Sequence, residues 1–189
     1  SHARIISRES CVLAGQAWVT EIFAQIDPGV IVQWNAAEGD WIEPNVPFLE
    51  LTGNSRSLLS GERVVLNFIQ TLSAVATKTA SLAKLIADLP TQILDTRKTI
   101  PGLRLAQKYA VTVGGGSNHR LGLYDAFLIK ENHIVASGGI AAAVRQAQII
   151  APGKPIEVEV EGFAELHEAL QAGASIIMLD EFSVADMAQ

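Results

Sequence analysis

The sequence predicts an α/β protein that begins with a β-rich part, and two patterns support this prediction. From residue 91 onward, short apolar runs typical of strands alternate with longer stretches of helical period, which is the pattern of parallel strands joined by helices. Before residue 55 the apolar runs are short and separated by turn residues, which indicates a mainly β layer. With 189 residues, 49% of them hydrophobic, the chain can bury the core of one ordinary domain or two small ones.

The first part, residues 1–54, is predicted to contain four short strands and one helix. The strands fall at residues 4–8, 11–14, 30–34 and 47–51. The helix covers residues 16–26, because Ile22, Phe23 and Ile26 lie on one helical face. We expect this layer to have a structural role.

Residues 55–90 are predicted to form a helical connection. Apolar residues recur at helical spacing until Pro90 ends the pattern. Gly61, near the start, predicts a break in the helix. Arg63 is an isolated charge on an otherwise apolar stretch, and its residue type alone favours a solvated side chain.

Residues 91–189 are predicted to form a parallel sheet with crossover helices. Strands are predicted at residues 92–94, 126–129, 156–160 and 175–179, with helices at 103–113, 139–150 and 163–172. Ser183 is typical of a helix N-cap, so a further helix is expected to begin there. Because four strands cannot close a barrel, we expect an open sheet or the first part of a longer barrel. The start without Met and the end within a helical turn suggest a piece of a longer protein.

Composition and charge exclude several classes of protein. No apolar run reaches the roughly 18–20 residues that a membrane-spanning helix needs, so no membrane partner is expected. The net charge of −6 argues against nucleic-acid binding, which needs a broad basic face. The single cysteine, Cys11, excludes a disulfide within the chain and fits a reducing compartment, so we expect a cytoplasmic protein.

One segment, residues 97–130, has a charge unlike that of the remaining chain. It contains six Lys or Arg residues and one acid, Asp125, and so carries a net charge of +5 in a chain of −6. Like charges that fold close together repel each other, and burial disfavours the charged form of each. The segment is therefore expected to bind a small polyanion.

Charged and polar residues also follow each predicted parallel strand, at the end where ligands of such folds bind. They are Thr96, Arg97 and Lys98 after the first strand, Lys130 after the second, Glu159 in the third and Asp180 after the fourth. His119 and Arg120, from the segment between the first two strands, are expected to reach the same edge. The cations suit carboxylates or phosphates, whereas the carboxylates suit ribose hydroxyls, Mg²⁺ or a developing positive charge.

The third parallel strand is unusually acidic. Glu157, Glu159 and Glu161 alternate along it and therefore share one face. Because an unpaired carboxylate is unfavourable in a buried strand, we expect Glu159 to have a partner or a function, and a nearby cation would satisfy it.

The glycine run at residues 114–116 leaves two interpretations open. Backbone N–H groups of such a run can bind a phosphate, but the run follows a predicted helix, which favours helix termination. His119, close behind it, lacks the ligand spacing of a transition-metal site.

Several long motifs run through the chain. They read Leu94-Asp95-Thr96-Arg97-Lys98-Thr99, Lys108-Tyr109-Ala110-Val111, Gly114-Gly115-Gly116-Ser117-Asn118-His119-Arg120 and Leu128-Ile129-Lys130-Glu131-Asn132-His133. Glu62-Arg63, Glu157-Val158-Glu159-Val160 and Met178-Leu179-Asp180 lie around them. In sequence, order and spacing these motifs resemble those of the quinolinate phosphoribosyltransferase family, over nearly the whole chain. Glu181 stands where that family often has Asn.

The resemblance implies that quinolinate and phosphoribosyl pyrophosphate are converted to nicotinate mononucleotide, pyrophosphate and CO₂, with Mg²⁺ as cofactor. It also implies an N-terminal α/β sandwich followed by an incomplete parallel α/β barrel. The assembly would be a homodimer, or a multiple of one, whose subunits share each active site. No nucleic acid or membrane would take part.

The resemblance also assigns roles to residues by matching motifs. Those that would bind substrate are Thr96, Arg97, Lys98, His119, Arg120 and Lys130, together with Arg63 of the partner subunit. Lys130, Glu159 and Asp180 would be catalytic, and the two carboxylates would face the ribose and Mg²⁺.

Three other functions remain open from the sequence. Lys130 follows an apolar strand, where a Schiff-base aldolase would place its lysine. A related phosphoribosyltransferase for another acid would carry similar cations. An inert folded fragment of such an enzyme would share all of these motifs.

Overall fold

A computed structural model describes all 189 residues, whose contacts divide the chain into two units, residues 1–119 and 120–189. The first unit contains β1 (His2–Ile6), β2 (Cys11–Val12), α1 (Gln16–Ile26), β3 (Ile31–Trp34), β4 (Trp41–Ile42), β5 (Pro47–Thr52), α2 (Ser55–Leu85) and α3 (Arg104–Val113). The second unit contains β6 (Phe127–Ile129), α4 (Glu131–Ser137), α5 (Ile140–Ile150), β7 (Ile156–Val160), α6 (Phe163–Ala172), β8 (Ile176–Leu179) and α7 (Val184–Met187). Both units combine helices with a sheet, which confirms the predicted α/β class.

The main sheet of the first unit is antiparallel, with β5 in the centre between β1 and β3. Leu49 and Leu51 of β5 are buried in one core with Phe23 of α1 and Val65 of α2. Full burial of an apolar side chain of this size stabilises a fold by about 1.5–3 kcal/mol. The two helices thus cover one face of the sheet, and this explains their apolar residues at helical spacing.

Helix α2 is continuous over 31 residues, so the predicted break at Gly61 is wrong. Gly61 is buried, and a Cβ atom there would lie 2.6 Å from a carbon of the Phe23 ring in α1. The glycine therefore lets α1 and α2 approach each other closely. The helix begins after Asn54, whose side chain accepts a hydrogen bond from the Arg56 N–H (2.9 Å), and ends before Pro90.

Helix α1 has no capping side chain of its own, and a distant carboxylate takes that role. Glu38, between β3 and β4, accepts hydrogen bonds from the N–H groups of Gly15 (2.6 Å) and Gln16 (3.0 Å). The Tyr109 hydroxyl of α3 donates to the same carboxylate (2.8 Å). Burial, followed by this hydrogen bond and the negative charge of Glu38, raises the pKa of Tyr109 to about 12.

The predicted strand at residues 92–94 is not a member of the parallel sheet, so this prediction is wrong. Leu94 forms only an isolated parallel bridge with Ser117. The Ser117 N–H donates to the Ile93 carbonyl (2.8 Å), and the Ser117 carbonyl accepts from the Asp95 N–H (3.2 Å). The chain that follows the glycine run therefore satisfies the backbone of this segment.

The sheet of the second unit is parallel, in the order β6-β7-β8, as predicted for these three strands. Central β7 is buried along most of its length, and Val158 and Val160 share a core with Ile140 and Val144 of α5. The helices predicted at residues 139–150 and 163–172 are confirmed. Helix α4 was not predicted, because its seven residues are too few to show a helical period.

No helix combines the length and the apolar character that crossing a membrane requires. The predicted division into residues 1–54, 55–90 and 91–189 differs from the two units and stays a prediction. The closure of the parallel sheet into a barrel also stays a prediction.

We expect Glu38→Gln to lower both the stability of the fold and the pKa of Tyr109. Gln keeps one acceptor oxygen but removes a negative charge, and hydrogen bonds to charged groups contribute about 1.5–3 kcal/mol each. In a Tyr124→Phe background, Tyr109 is the sole tyrosine, so tyrosinate absorbance against pH reports its pKa directly. Chemical denaturation gives the change in the free energy of unfolding.

The raised pKa of Tyr109 also predicts a pH window for stability. An unfolded tyrosine loses its proton near its ordinary pKa of 10.0, whereas folded Tyr109 keeps it to about 12. The stabilising contribution is complete below pH 10 and is lost between these values. The loss should be smaller in Glu38→Gln, and an unchanged Tyr109 titration there would contradict the role of Glu38.

Candidate active site

The first group of predicted site residues lies in the turn that follows Leu94. The Thr96 hydroxyl accepts a hydrogen bond from the Lys98 N–H (3.0 Å), and the Thr99 N–H donates to the Arg97 carbonyl (3.0 Å). Arg97 is half-buried, and its Nε is enclosed without a hydrogen-bond partner. An unsatisfied buried donor costs about 1–3 kcal/mol, so this atom is suited to an acceptor that a ligand supplies.

Asp95 and Lys108 form a buried ion pair beside this turn, with side-chain exposures of 7% and 2%. Asp95 also accepts hydrogen bonds from the His119 N–H (2.8 Å) and the Asn118 side-chain amide (2.7 Å). Lys108 also donates to the His119 carbonyl (3.1 Å). The backbone of His119, a predicted site residue, is therefore held on both sides by the pair.

Sequence reasoning missed this pair, because it counted Lys108 among the free cations of segment 97–130. Lys108 lies two residues from Ala106 and Ala110, which are the buried core residues of α3, so helical spacing places it on another side. No pattern in the sequence marks that side as buried. One of the six cations in the segment is therefore already neutralised.

A small cavity of about 140 Å³ opens beside the pair. Its lining includes Thr96 and Lys98 of the turn and Gln107 and Lys108 of α3. Gln107 also accepts a hydrogen bond from the Ile100 N–H (2.7 Å), which fixes the chain beyond the turn. Two predicted substrate-binding residues thus share one cavity.

The glycine run at residues 114–116 ends helix α3, which confirms the interpretation as helix termination. The N–H groups of Gly114 and Gly116 donate to the carbonyls of Ala110 and Val111 (3.0 Å each), and the Gly115 N–H donates to Thr112. Because these donors are engaged, the run offers no free N–H to a phosphate. Gly115 has a φ of 83°, a left-handed conformation that glycine adopts without strain.

In the second unit, Lys130 and Glu159 form an ion pair, as expected for Glu159. The register of β6 and β7 places Ile129 beside Val158, so the next step along both strands brings Lys130 beside Glu159. The side chain of Lys130 is 44% exposed and that of Glu159 14%. The backbone N–H of Lys130 donates to the His133 ring (3.1 Å) at the start of α4.

Carboxylates crowd the carboxyl ends of β7 and β8. Asp180 follows β8 and its N–H donates to the Val160 carbonyl (2.9 Å), so its backbone lies beside the end of β7. Desolvation by the surrounding protein raises the pKa of Glu161, and neighbouring negative charges raise it further. These charges belong to Glu131, Glu165, Asp180 and Glu181. Negative charge is therefore in excess at this edge.

Arg120 begins a loop that is closed by Asp125. The Arg120 guanidinium donates to the Ala126 carbonyl (3.2 Å), and Asp125 accepts from the N–H groups of Leu121 (2.7 Å) and Gly122 (3.3 Å). These backbone hydrogen bonds, that from Leu121 first, lower the pKa of Asp125. Asp125 thus organises the loop.

Arg63 lies on α2 and is exposed. At helical spacing it shares a side of α2 with Leu66, Gln70, Ala74 and Thr77, which line a groove of about 810 Å³. The opposite wall of the groove comes from β1 and the chain after it, including Cys11.

Two family models together cover the chain. The N-terminal domain of quinolinate phosphoribosyl transferase matches residues 1–73, and the C-terminal domain of the same family matches residues 75–189. The chain belongs to the quinolinate phosphoribosyltransferase family. The probable nicotinate-nucleotide pyrophosphorylase (carboxylating) of Bacillus subtilis is 45% identical over 179 residues, which are 94% of this chain and 62% of that protein.

Other relatives agree with membership of the quinolinate phosphoribosyltransferase family. A decarboxylating quinolinate phosphoribosyltransferase of Nicotiana tabacum is 41% identical over 97% of this chain and 55% of its own length. The structure of the Francisella tularensis nicotinate-nucleotide pyrophosphorylase superposes with a TM-score of 0.95 at 50% identity, over 99% of this chain and 67% of that one. The chain spans about three fifths of the curated relatives it matches.

The predicted site residues fall into two groups. Within the first unit the structure brings together Thr96, Arg97, Lys98 and His119 around Asp95 and Lys108. Within the second, Lys130 meets Glu159, and Asp180 lies at the same sheet edge. The roles of these residues stay predictions.

Glu181→Asn is expected to stabilise the protein by about 1 kcal/mol. Glu181 has a φ of 57°, a left-handed conformation that costs most residues about 1–2 kcal/mol and that Asn tolerates. The exchange also removes one negative charge near Glu161 and should lower the raised pKa of that carboxyl. Thermal unfolding and carboxyl-carbon NMR titration measure the two effects.

Glu181→Gln is the matched control, because it removes the charge and keeps the strained backbone. If Gln stabilises as much as Asn, charge alone accounts for the gain and the backbone argument fails. If neither variant lowers the pKa of Glu161, its carboxylate neighbours have been assigned wrongly.

Proposed function

We propose that the protein carrying this chain transfers a phosphoribosyl group from phosphoribosyl pyrophosphate to quinolinate and releases CO₂, as its relatives' names describe. The observation that carries the proposal is the match of both family domains over residues 1–73 and 75–189. The products would be nicotinate mononucleotide, pyrophosphate and CO₂, a step in NAD biosynthesis.

The cations of segment 97–130 support an anionic substrate. Arg97 offers a buried donor without a partner, and Lys98 is exposed beside the small cavity. Quinolinate brings two carboxylates, and its co-substrate brings a phosphate and a pyrophosphate. Each charge-assisted hydrogen bond to such a group contributes about 1.5–3 kcal/mol. His119, Arg120 and Lys130 complete the set of anion-binding residues in this proposal.

The proposed reaction needs no nucleophile from the protein, but it needs the two substrates to be held in the correct orientation. The pyridine nitrogen of quinolinate attacks the anomeric carbon of the ribose as the bond to pyrophosphate breaks. The ring nitrogen is then cationic, so the ring can hold the electron pair left when the neighbouring carboxylate departs as CO₂. A proton then replaces the lost carboxylate. The protein contributes orientation and charges that match each stage.

In this proposal, Lys130 acts on the quinolinate and Glu159 on the ribose. Lys130 is 44% exposed, so its ammonium group can donate to a substrate carboxylate while Glu159 stays beside it. Glu159 and Asp180 would face the ribose, where negative charge stabilises an oxocarbenium-like transition state.

We propose Mg²⁺ as the cofactor, held by Glu159 and Asp180 directly or through water. The protein has no cluster of three potential ligands, but Mg²⁺ is commonly bound by one or two carboxylates, water and substrate phosphates. The excess of negative charge that raises the pKa of Glu161 fits a cation at this edge. When bound, Mg²⁺ would neutralise charge on the leaving pyrophosphate.

A homodimer with shared sites is also proposed. The side of α2 that carries Arg63 borders an open groove with apolar residues, which a second copy could cover. Arg63 of the partner subunit would then add a cation to the substrate phosphates. We further propose that β6-β7-β8 is part of an incomplete α/β barrel, and that the protein is cytoplasmic.

The Schiff-base alternative is less well supported. Its support is limited to the position of Lys130 directly after the apolar strand β6. Borohydride trapping of a substrate on Lys130 would revive it. An inert fragment and an enzyme for a related acid are separated from our proposal by the following assay.

Formation of nicotinate mononucleotide from quinolinate and phosphoribosyl pyrophosphate is the decisive measurement, with nicotinate as the control acid. We expect the full-length protein to use quinolinate only and to bind it more tightly than nicotinate in calorimetry. Lys130→Ala should lose most turnover, since charge placement of this kind contributes about 100-fold or more. Preference for nicotinate, or wild-type-like kcat/KM in Lys130→Ala, would overturn these assignments.

Mixed dimers test the shared site. Arg63→Ala and Lys130→Ala should each be nearly inactive alone, because every site then lacks one cation. In a mixture, one site of each heterodimer contains both native residues, so part of the activity should return. A mixture that stays as inactive as its components, with subunit exchange demonstrated, would exclude sharing through Arg63.

A further inference from the structure

We propose that the buried Asp95–Lys108 ion pair is a positioning device that clamps the backbone of His119 and so orients its ring toward quinolinate. This inference rests on the proposed function for its substrate. The clamp itself is a structural claim and can be tested without substrate. Neither residue touches the reacting atoms in this proposal, so both are positioning residues.

The two charged side chains bind both backbone polar groups of His119, the N–H and the carbonyl. The Asp95 carboxylate accepts from the His119 N–H at 2.8 Å, and the Lys108 ammonium donates to the His119 carbonyl at 3.1 Å. Asp95 thus binds the N–H of His119 and Lys108 binds its carbonyl, while the two side chains also form an ion pair with each other. This leaves the His119 backbone little freedom to rotate.

Asn118 fixes the orientation of the pair. Its side-chain amide donates to the second oxygen of Asp95 (2.7 Å) and to the Lys108 backbone carbonyl (2.9 Å). Asp95 therefore receives three donors, from Lys108, Asn118 and His119, and its carboxylate cannot rotate without breaking them.

Stability alone does not explain a buried pair at this place. Removing two charges from water costs several kcal/mol per ion, and apolar residues of similar volume are often equally or more stabilising. An apolar pair would fill the space but would leave the N–H and carbonyl of His119 without these partners. What the charges add is a fixed direction for that backbone.

The surrounding chain needs such a fixed point. His119 follows the glycine run at residues 114–116 and precedes the loop closed by Asp125, and it lies in neither a helix nor a strand. Catalytic geometry commonly tolerates about 0.5 Å, and a displacement on the order of 1 Å can cost about 100-fold in rate. A substrate-binding residue outside any helix or strand therefore depends on other contacts to fix its position.

Two double variants of the full-length protein separate the clamp from a simple ion pair. Asp95→Leu with Lys108→Met fills the space without charge. Asp95→Lys with Lys108→Asp restores the ion pair but presents a donor to the His119 N–H and an acceptor to its carbonyl. Ala110→Gly, in the same helix, is the control for lowered stability, because Gly costs about 1 kcal/mol relative to Ala.

We expect kcat/KM for quinolinate to fall about 10- to 100-fold in both double variants. A loss of this size is typical when a substrate-binding residue is displaced. The KM for phosphoribosyl pyrophosphate should change little. The His119 ring signal, assigned with His119→Gln, should shift and broaden in the variants without any substrate. Ala110→Gly should lower the melting temperature and leave KM and the ring signal unchanged.

Recovery of wild-type kcat/KM in the reversed pair, or its retention in the apolar pair, would overturn the clamp. If neither double variant folds, Asn118→Ala decides, since it removes both hydrogen bonds that orient the pair at an exposed position. An unchanged ring signal and quinolinate KM there would also overturn it. If the wild-type protein neither binds nor converts quinolinate, the proposed function is refuted. The His119 ring signal of the variants would still test the clamp, because it is measured without substrate.

Discussion

Two ion pairs decide which cations of segment 97–130 remain available to an anion. Lys108 is enclosed with Asp95, and breaking a buried pair of this kind costs about 3–5 kcal/mol, so it does not exchange partners. Lys130 is 44% exposed beside Glu159, so water screens this pair more than the enclosed one. The same pairing of Lys with a carboxylate therefore encloses the cation in the first unit and leaves it accessible in the second.

Local sequence patterns predicted most elements, because burial of one face gives apolar residues the period of the helix or strand that carries them. The parallel strands β6, β7 and β8 and the helices between them were recognised in this way. The errors arise where a distant residue decides the local structure. Gly61 allows contact with Phe23 and does not break α2, and Ser117 binds the backbone of Ile93 where a sheet strand was expected.

The candidate site was predictable to the extent that strand register governs it. Residues that follow neighbouring parallel strands must meet at one edge, and Lys130 with Glu159 fulfils this expectation. Asp95 with Lys108 could not be found in the same way, because the contact depends on how a turn folds against one side of α3. Glu38 is a similar case, since it caps α1 and binds Tyr109 across long stretches of sequence.

Helix dipoles offset only part of the negative charge at the carboxyl ends of β7 and β8. Glu131 and Glu165 lie in the first turns of α4 and α6, where the helix dipole favours negative charge. Glu161, whose pKa is raised, lies outside both helices, as does Asp180. A raised carboxyl pKa means that deprotonation costs more in the folded state than in the unfolded one, so stability falls as pH rises through that range. A protein that keeps these carboxylates deprotonated gives up stability for them, and a cation bound at this edge would offset that cost.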